Sequence, residues 1–460
     1  MSRPDVRPLR GYLGTAAAGR TMSDAHRQVS LTGMAGQTWL GGRLFELTGR
    51  SVLLDLGTQL QSAIGLAELD GVAQRMLLLP PDVSADHLAS LVKTVAIDAV
   101  VSDDPARWMD SGIENFVATT EPQSASTPTV TARTTEWLML TSGTSGVPKV
   151  VSHTLAGLSG AIVADTLAPT SPVWATFYDI RRYGGLQILL RAMIGGGSMV
   201  LSDPKEAMAD WVARLHAHGV THISGTPTHW RKLLMSGAAD GFAPRYVRLS
   251  GEIADQPILD ALKQTFPAAS VGHAYASTEA GVGFAVNDGR EGFPESMLNG
   301  GCEGVDMKIE DGSLRIRSGR VATGYVGSGI PALTDADGFV DTGDMVEVRG
   351  GRCYFVGRRG GIINIGGRKV HPEEIEAVIN SHPGVRMSRA RARKSPITGA
   401  IVAADIVLAE GYSSGDSDAV RDGVLAICRA ALEPHKVPAV VRFVPTLAVT
   451  SAGKLARTDA

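Results

Sequence analysis

From Ser51 the chain alternates short apolar runs with helical periodicity. "SVLLDLG", "TQLQSAIGLAELDG", "RMLLLP", "DVSADHLASLVKTV" and "IDAVVSD" follow one another to Asp103. That order of strand, helix, strand, helix, strand implies a parallel or mixed sheet covered by helices, an α/β architecture. A second α/β stretch runs through "VWATFYD", "GLQILLRAMIGGGSMVLS", "AMADWVARLHAHGVTHISG", "VRLSGE", "PILDALKQTF" and "VGHAYASTEAG". After about residue 300 the pattern turns β-rich. "GRRGGIINIGGRK" (357–369) reads as a junction, and a compact α+β region follows it. Pro372, Glu373 and Glu374 suit a helix N-terminus there. Residues 1–50 carry no clear pattern and are expected to be flexible or irregular.

A chain of 460 residues is too long for one hydrophobic core, so two or more domains are expected. The division predicted is a large N-terminal region, 1–356, with mixed sheets and a β-rich lobe, and a small α+β C-terminal domain, 357–460. Lys and Arg number 44 against 47 Asp and Glu, a balance that points to neither nucleic acid nor an anionic membrane as partner. No apolar run is long enough for a membrane span. The opening "MSRPDVRPLRGYLG" lacks the apolar core of a secretory signal. The three cysteines are scattered and the histidines show no zinc spacing, which suits a cytoplasmic protein without a disulfide framework.

The chemistry concentrates in "LTSGTSGVPK" (140–149), set between the apolar runs Trp137–Leu140 and Val150–Val151. Two buried strands would pin the loop at both ends. Gly143 and Gly146 let the backbone turn tightly, and Thr141, Ser142, Thr144 and Ser145 add hydroxyl donors. Lys149 adds a cation, so the loop makes an anion site, with phosphate the usual anion. It is not a Walker loop, which closes on Gly-Lys-Ser/Thr at a helix start, and no kinase glycine loop is present.

Further motifs follow in order: "YASTEAG" (275–281), "DTGD" (341–344), "GRRGGIINIGGRKVHPEEIE" (357–376) and "TSAGKLAR" (450–457). Together with the phosphate loop they resemble the adenylate-forming superfamily of acyl-CoA synthetases, aryl-CoA ligases and carrier-loading adenylation domains. The resemblance implies an ATP- and Mg²⁺-dependent acid–thiol ligase. It would form an acyl-adenylate with release of pyrophosphate, then pass the acyl group to CoA or to the phosphopantetheine of a separate carrier protein. The loop would hold the β- and γ-phosphates. Tyr275 would lie against the adenine, in a nucleotide site that also takes in Ala276, Ser277 and Phe355. Thr278 would face the phosphates and Glu279 would hold Mg²⁺, one carboxylate with phosphate oxygens and waters being a normal shell. Gly251 and Glu252 would give backbone contacts beside the adenine, Asp344 would accept from both ribose hydroxyls, and Arg358 would reach the nucleotide. Lys454 would swing in on a mobile loop and offset the charge growing in the transition state.

Two departures from the family pattern bear on the second step and on the acid. At the junction Gly360 replaces the usual hinge Asp and Asn364 the usual Lys, and the glycine pair Gly366–Gly367 would line the thiol tunnel after the C-terminal domain rotates. Beside the acid pocket, where many members carry a histidine, "DIRRYGGLQ" places Arg182 and then Tyr183. Arg182 either lies at the pocket mouth, favouring a polar or second-carboxylate acid, or forms a structural ion pair. Thr226 and Trp230 in "GTPTHWRKLL" fall where the pocket wall is expected, though Trp230 could equally be core. A non-catalytic nucleotide- or acyl-binding relative is the other class of protein that fits. It is disfavoured because Lys454, Glu279 and Asp344 are all present.

Overall fold

The structure is a computed structural model, and it describes residues 7–16, 18–40, 42–109, 111–118, 122–124, 133–141, 148–162, 171–300, 302, 304–365, 368–395, 399–450 and 452–457. The predicted α/β class is what it shows. An eight-stranded mixed sheet runs, in spatial order, from Gly281–Val286 through Ser270–Ser277, Tyr246–Ser250, His222–Gly225, Val173–Thr176, Ser198–Leu201 and Thr21–Ser23 to Gln28–Ser30. A seven-stranded mixed sheet holds Ser51–Asp55, Arg75–Leu78 and Ala99–Ser102 as parallel neighbours, with Glu136–Leu140 and Val150–Thr154 beside them. The β-rich lobe is a five-stranded antiparallel sheet that includes Val340–Arg349 and Arg352–Arg358.

Helices Gln59–Leu69 and Tyr183–Gly195 contribute to the largest core together with residues of both large sheets. Every residue of Gln59–Leu69 is buried, its polar positions included. The burial of Glu68 is offset by hydrogen bonds from Trp39 N (2.7 Å) and Thr38 Oγ1 (3.0 Å). Beyond Arg358 the chain makes a short turn, Arg359–Gly361, and enters the C-terminal unit. There a three-stranded sheet packs one face on helices Pro372–Asn380 and Ser417–Ala431.

The stretch read as irregular, before residue 51, is instead ordered in its described part. Helices Leu9–Gly14 and Leu31–Gly36 bury Leu9, Leu13, Leu31 and Met34. The Thr21–Ser23 strand pairs in parallel with Ser198–Leu201. The reason is long-range: three residues make a strand only because a partner far along the chain supplies the ladder. Asp70 fastens the first helix to the seven-stranded sheet, its carboxylate accepting from Leu9 N (2.7 Å) and Trp137 Nε1 (3.0 Å). Burial pushes that carboxyl up to about 6, against the pull of both bonds.

Asp70→Ala strands two buried donors, at about 1–3 kcal/mol each. The variant should therefore unfold at lower denaturant, and amide exchange within Leu9–Gly14 should rise before exchange elsewhere; unchanged protection there would remove Asp70 as the fastening.

Candidate active site

The phosphate-loop motif forms a hairpin as its apolar flanks predict. Val150–Thr154 pairs antiparallel with Glu136–Leu140, and Thr141 N donates to Lys149 O at 3.0 Å across the loop base. Ser142, Gly143, Thr144, Ser145 and Gly146 lie outside the described residues. Lys149 sends its ammonium over the ring of Tyr325, 5.2 Å from the centroid. Tyr325 belongs to Gly324–Val326, the strand that pairs with the far edge of the hairpin.

The "YASTEAG" motif enters the same region from the eight-stranded sheet. Thr278 O accepts from His153 Nε2 at 2.8 Å. His153 is fully buried and burial pushes its pKa down to about 4, so it is the neutral ring with the proton on Nε2. A residue on the second strand of the phosphate hairpin thereby fixes the turn that carries Thr278 and Glu279. Ser277 Oγ accepts from Ala280 N (3.0 Å) and closes that turn, while Ala276 packs against the large core. Glu279 O accepts from Ala322 N at 3.0 Å, and Thr323 in turn bonds Ser152 O. The Glu279 carboxylate has no ion-pair partner among the described residues, yet it is near enough to raise the pKa values of both Tyr325 and Arg358. A carboxylate left open beside a phosphate loop fits a hard cation such as Mg²⁺.

Asp344 joins three parts of the molecule. Its Oδ2 accepts from Tyr275 Oη at 2.6 Å and its Oδ1 from Arg358 Nε at 2.9 Å. The Asp344 charge is the main cause that raises the Arg358 pKa. A carboxylate offers about four lone-pair directions, so acceptor capacity for a ribose remains. The Tyr275 ring lies within 15° of parallel to both Phe284 and Phe355, centroids 5.6 and 5.3 Å away. Tyr275 and Phe355, both assigned to the nucleotide site from sequence, are thus parts of one aromatic cluster.

The C-terminal unit delivers Lys454 into this cleft. Gly251 lines the channel the lysine occupies: its Cβ position lies in ordinary contact, 3.4 Å from Lys454 Cε, and its φ of +85° is what calls for glycine. Burial lowers the Lys454 pKa, and Arg358 lowers it further against Glu252 and Asp344. Glu252, read as a source of backbone contacts to the nucleotide, also uses its carboxylate, which accepts from Thr228 N (3.0 Å) and from Leu455 N (2.8 Å) in the lysine's own segment.

The acid-pocket residues separate. Arg182 precedes helix Tyr183–Gly195 at its N-cap position, without a side-chain capping bond, and binds the Asp82 carboxylate with Nη2, at 2.6 Å to Oδ2. It is also near enough to depress the Lys454 pKa. Tyr183 is buried beside His153, ring centroids 5.5 Å apart. Thr226 caps helix Pro227–Met235 and donates to Gly453 O at 2.7 Å. Trp230 is core: it is fully buried with Phe177 and Phe266, and its Nε1 is satisfied by Arg248 O at 3.1 Å. In a helix beginning at Pro227, position 230 turns to the sheet. His229 and Gly453 were not singled out from sequence, although a glycine directly before the lysine was a signal.

At the junction, Gly360 has ordinary φ and open space around its Cα. The glycine this arrangement requires is Gly357, with φ +141° and a Cβ position 2.5 Å from Glu373 Oε2 and 3.0 Å from His371 Nδ1. Gly366 and Gly367 lie outside the described residues. No helix among the described residues is long and apolar enough to cross a membrane.

Asp344→Ala should weaken ATP binding roughly tenfold or more, since it removes charge-assisted bonds and frees Arg358. Calorimetric titration with ATP measures this; unaltered affinity would take Asp344 out of the nucleotide site.

Comparison with known proteins agrees with these motifs. Residues 72–326 match the AMP-binding enzyme family and residues 374–454 the AMP-binding enzyme C-terminal domain. A 2-succinylbenzoate–CoA ligase of Bacillus velezensis is 26% identical over 431 residues, covering 90% of this chain and 82% of that protein. In fold, the chain resembles an o-succinylbenzoate CoA synthetase of Bacillus subtilis solved with its acyl-adenylate intermediate (TM-score 0.77, 19% identity, 98% and 97% of the two chains covered). It also resembles an anthranilate CoA ligase solved with anthranoyl-AMP (TM-score 0.80, 16% identity, 99% and 97% covered). The chain belongs to the AMP-binding enzyme family and is an AMP-forming ligase.

Proposed function

We propose that this enzyme activates an aromatic carboxylic acid as its acyl-adenylate and passes the acyl group to CoA. The observation that carries the reading is Lys454, held along Gly251 in the cleft that also contains Asp344, Arg358 and Glu252. In the first step a carboxylate oxygen of the acid bonds to the α-phosphorus of ATP. The bond from that phosphorus to the bridging oxygen breaks, and pyrophosphate leaves. Lys149 and the loop around it neutralise the leaving group. Lys454 offsets the negative charge that builds on the α-phosphate, in a site where partial burial makes its charge more effective than in water. Mg²⁺, held by Glu279 and phosphate oxygens, would supply further neutralisation. Asp344 and Arg358 fix the ribose end. In the second step the CoA sulfur bonds to the acyl carbon and AMP departs; a carrier-borne phosphopantetheine offers the same thiol arm.

Support for an aromatic acid comes from two sides. The similar proteins named above act on 2-succinylbenzoate and anthranilate. Phe177, Tyr178 and His229 form an aromatic group next to the lysine segment, with Phe177 and His229 stacked at 5.3 Å and Tyr178 edge-on to His229 at 5.9 Å.

ATP–pyrophosphate exchange against fatty, aryl, dicarboxylic, hydroxy and amino acids tests the proposal, with aryl acids predicted to support it best. Lys454→Ala should lower exchange by ~10²-fold or more while leaving ATP bound, the effect of deleting one preorganised charge. Near-normal exchange would take Lys454 out of catalysis. For Arg182, an arginine that reads a second carboxylate must trade it against Asp82. Asp82→Ala should then strengthen preference for dicarboxylic aryl acids and Arg182→Ala should abolish it. Identical acid preference in all three proteins would leave the arginine a purely structural ion pair.

A further inference from the structure

Two elements end beside Lys454 and enclose the space that leads away from it. Helix Tyr183–Gly195 begins after Arg182, and strand Tyr246–Ser250 ends one residue before Gly251; Arg182 and Gly251 both lie near the lysine. Tyr178 spans the two ends. A Cβ on Gly184 would meet its ring at 3.5 Å, and its hydroxyl donates to Ser250 O at 2.7 Å. Gly184 and Arg191 are two helical turns apart and share one face. Arg248 stands two residues before Ser250, on the same side of the strand. Arg191 therefore sits roughly 10 Å down the helix from Gly184, and Arg248 about 7 Å down the strand from Ser250.

This far end is cationic. Arg191 is half-buried and has neither ion pair nor hydrogen bond among the described residues. Burial lowers its pKa, and the charges of Arg248 and Arg320 lower it further. Arg320 enters from the turn after strand Ser313–Ser318, its Nη1 donating to Val282 O at 3.3 Å. Burial raises the Tyr183 pKa while Arg191 and Arg320 both draw it back, so the two guanidiniums converge near that ring. Arg248 lies over the Tyr246 ring, 4.7 Å from its centroid, and donates Nη1 to His273 O at 3.1 Å. Its buried Nε has no partner among the described residues, and neither has Ser224 Oγ, opposite it in the next strand. Guanidinium does not shed its proton, so this end of the space repels itself until an anion enters.

We infer that the space between this helix and strand holds the body of the acid substrate, and that Arg191, with Arg248 and Arg320 around it, binds a second anionic group at the far end. The inference rests on the ligase reading above and adds the class of acid: an aryl acid whose two carboxylates stand roughly 7–10 Å apart, the depth set by strand and helix. Arg182 lies at the other end and is bound by Asp82, so it meets only an anion close to the reacting carboxyl. At Arg191 an incoming carboxylate gains a charge-assisted, bidentate pair without displacing an acid of the protein.

The test is ATP–pyrophosphate exchange with para-carboxyphenylpropanoate and with 2-succinylbenzoate, each compared with its neutral monoamide. The wild-type KM should be about tenfold or more lower for each diacid, the effect of one charge-assisted contact. Arg191→Gln should erase that difference by raising the diacid KM, with kcat at saturation and the monoamide KM nearly unchanged. Arg191→Lys, which keeps the charge, should restore part of the preference. Phthalate, whose carboxylates are adjacent, should be indifferent to both variants. Because Arg191→Gln leaves no acid of the protein unpaired, its melting temperature should equal or exceed that of the wild type. Earlier melting with loss of exchange on every acid would make Arg191 a structural cation and overturn the inference. Equal wild-type KM for diacid and monoamide, or a preference that survives Arg191→Gln, would overturn it too. A wild-type enzyme without exchange on any acid would contradict the ligase reading itself, a different result.

Discussion

The carboxylate of Asp344 is the contact on which the arrangement of this cleft depends. It lies on a strand of the β-rich lobe, and one oxygen is held by Tyr275 from the eight-stranded sheet. The other is held by Arg358, the last residue of that lobe before the chain turns into the C-terminal unit. A single charged group so sets the lobe, the sheet and the junction relative to one another. The Tyr275 bond is part-buried and charge-assisted, hence strong and directional, while the bond from the exposed Arg358 adds orientation more than strength. The flat aromatic group of Tyr275, Phe284 and Phe355 then adds a rigid apolar surface next to the polar anchor.

In the same cleft the enzyme places a cation beside this anchor. Lys454 has no ion-pair partner among the described residues, and burial lowers its pKa. A cation paired tightly with a carboxylate could not respond to charge that develops only during reaction. Here the nearest acids are otherwise engaged: Asp344 with Arg358 and Tyr275, Glu252 with two backbone amides. The lysine is positioned through its backbone and its charge is left for the substrate. The same logic applies to Glu279, whose carbonyl accepts from Ala322 N while its carboxylate has no ion-pair partner among the described residues.

What could be read from the sequence was what is chemically local. The loop between Leu140 and Val150 needs only its own apolar flanks to become a hairpin, and Asp344, Glu279 and Lys454 announce themselves inside short motifs. What escaped was long-range. Nothing near Glu252 states that its carboxylate meets an amide at position 455, and nothing near Met22 states that Met199 lies beside it. Helix phase decided Thr226 and Trp230: one caps the helix and faces the cleft, the other turns inward to the core. Arg182 was ambiguous because an exposed-looking arginine does not reveal its acid, and Asp82 is a hundred residues away. At the junction attention fell on Gly360, where sequence departs from the family, whereas the glycine demanded by packing is Gly357.

The most direct measurement is phosphorus NMR of the enzyme turning over ATP with an aryl acid, Mg²⁺ and CoA. A site that binds the β- and γ-phosphates as a leaving group, with Lys454 at the α-phosphate, must yield AMP and pyrophosphate in step with thioester. ADP and inorganic phosphate as the acid-dependent products would contradict it, because the bond broken would then be the one that this cleft is arranged to leave intact.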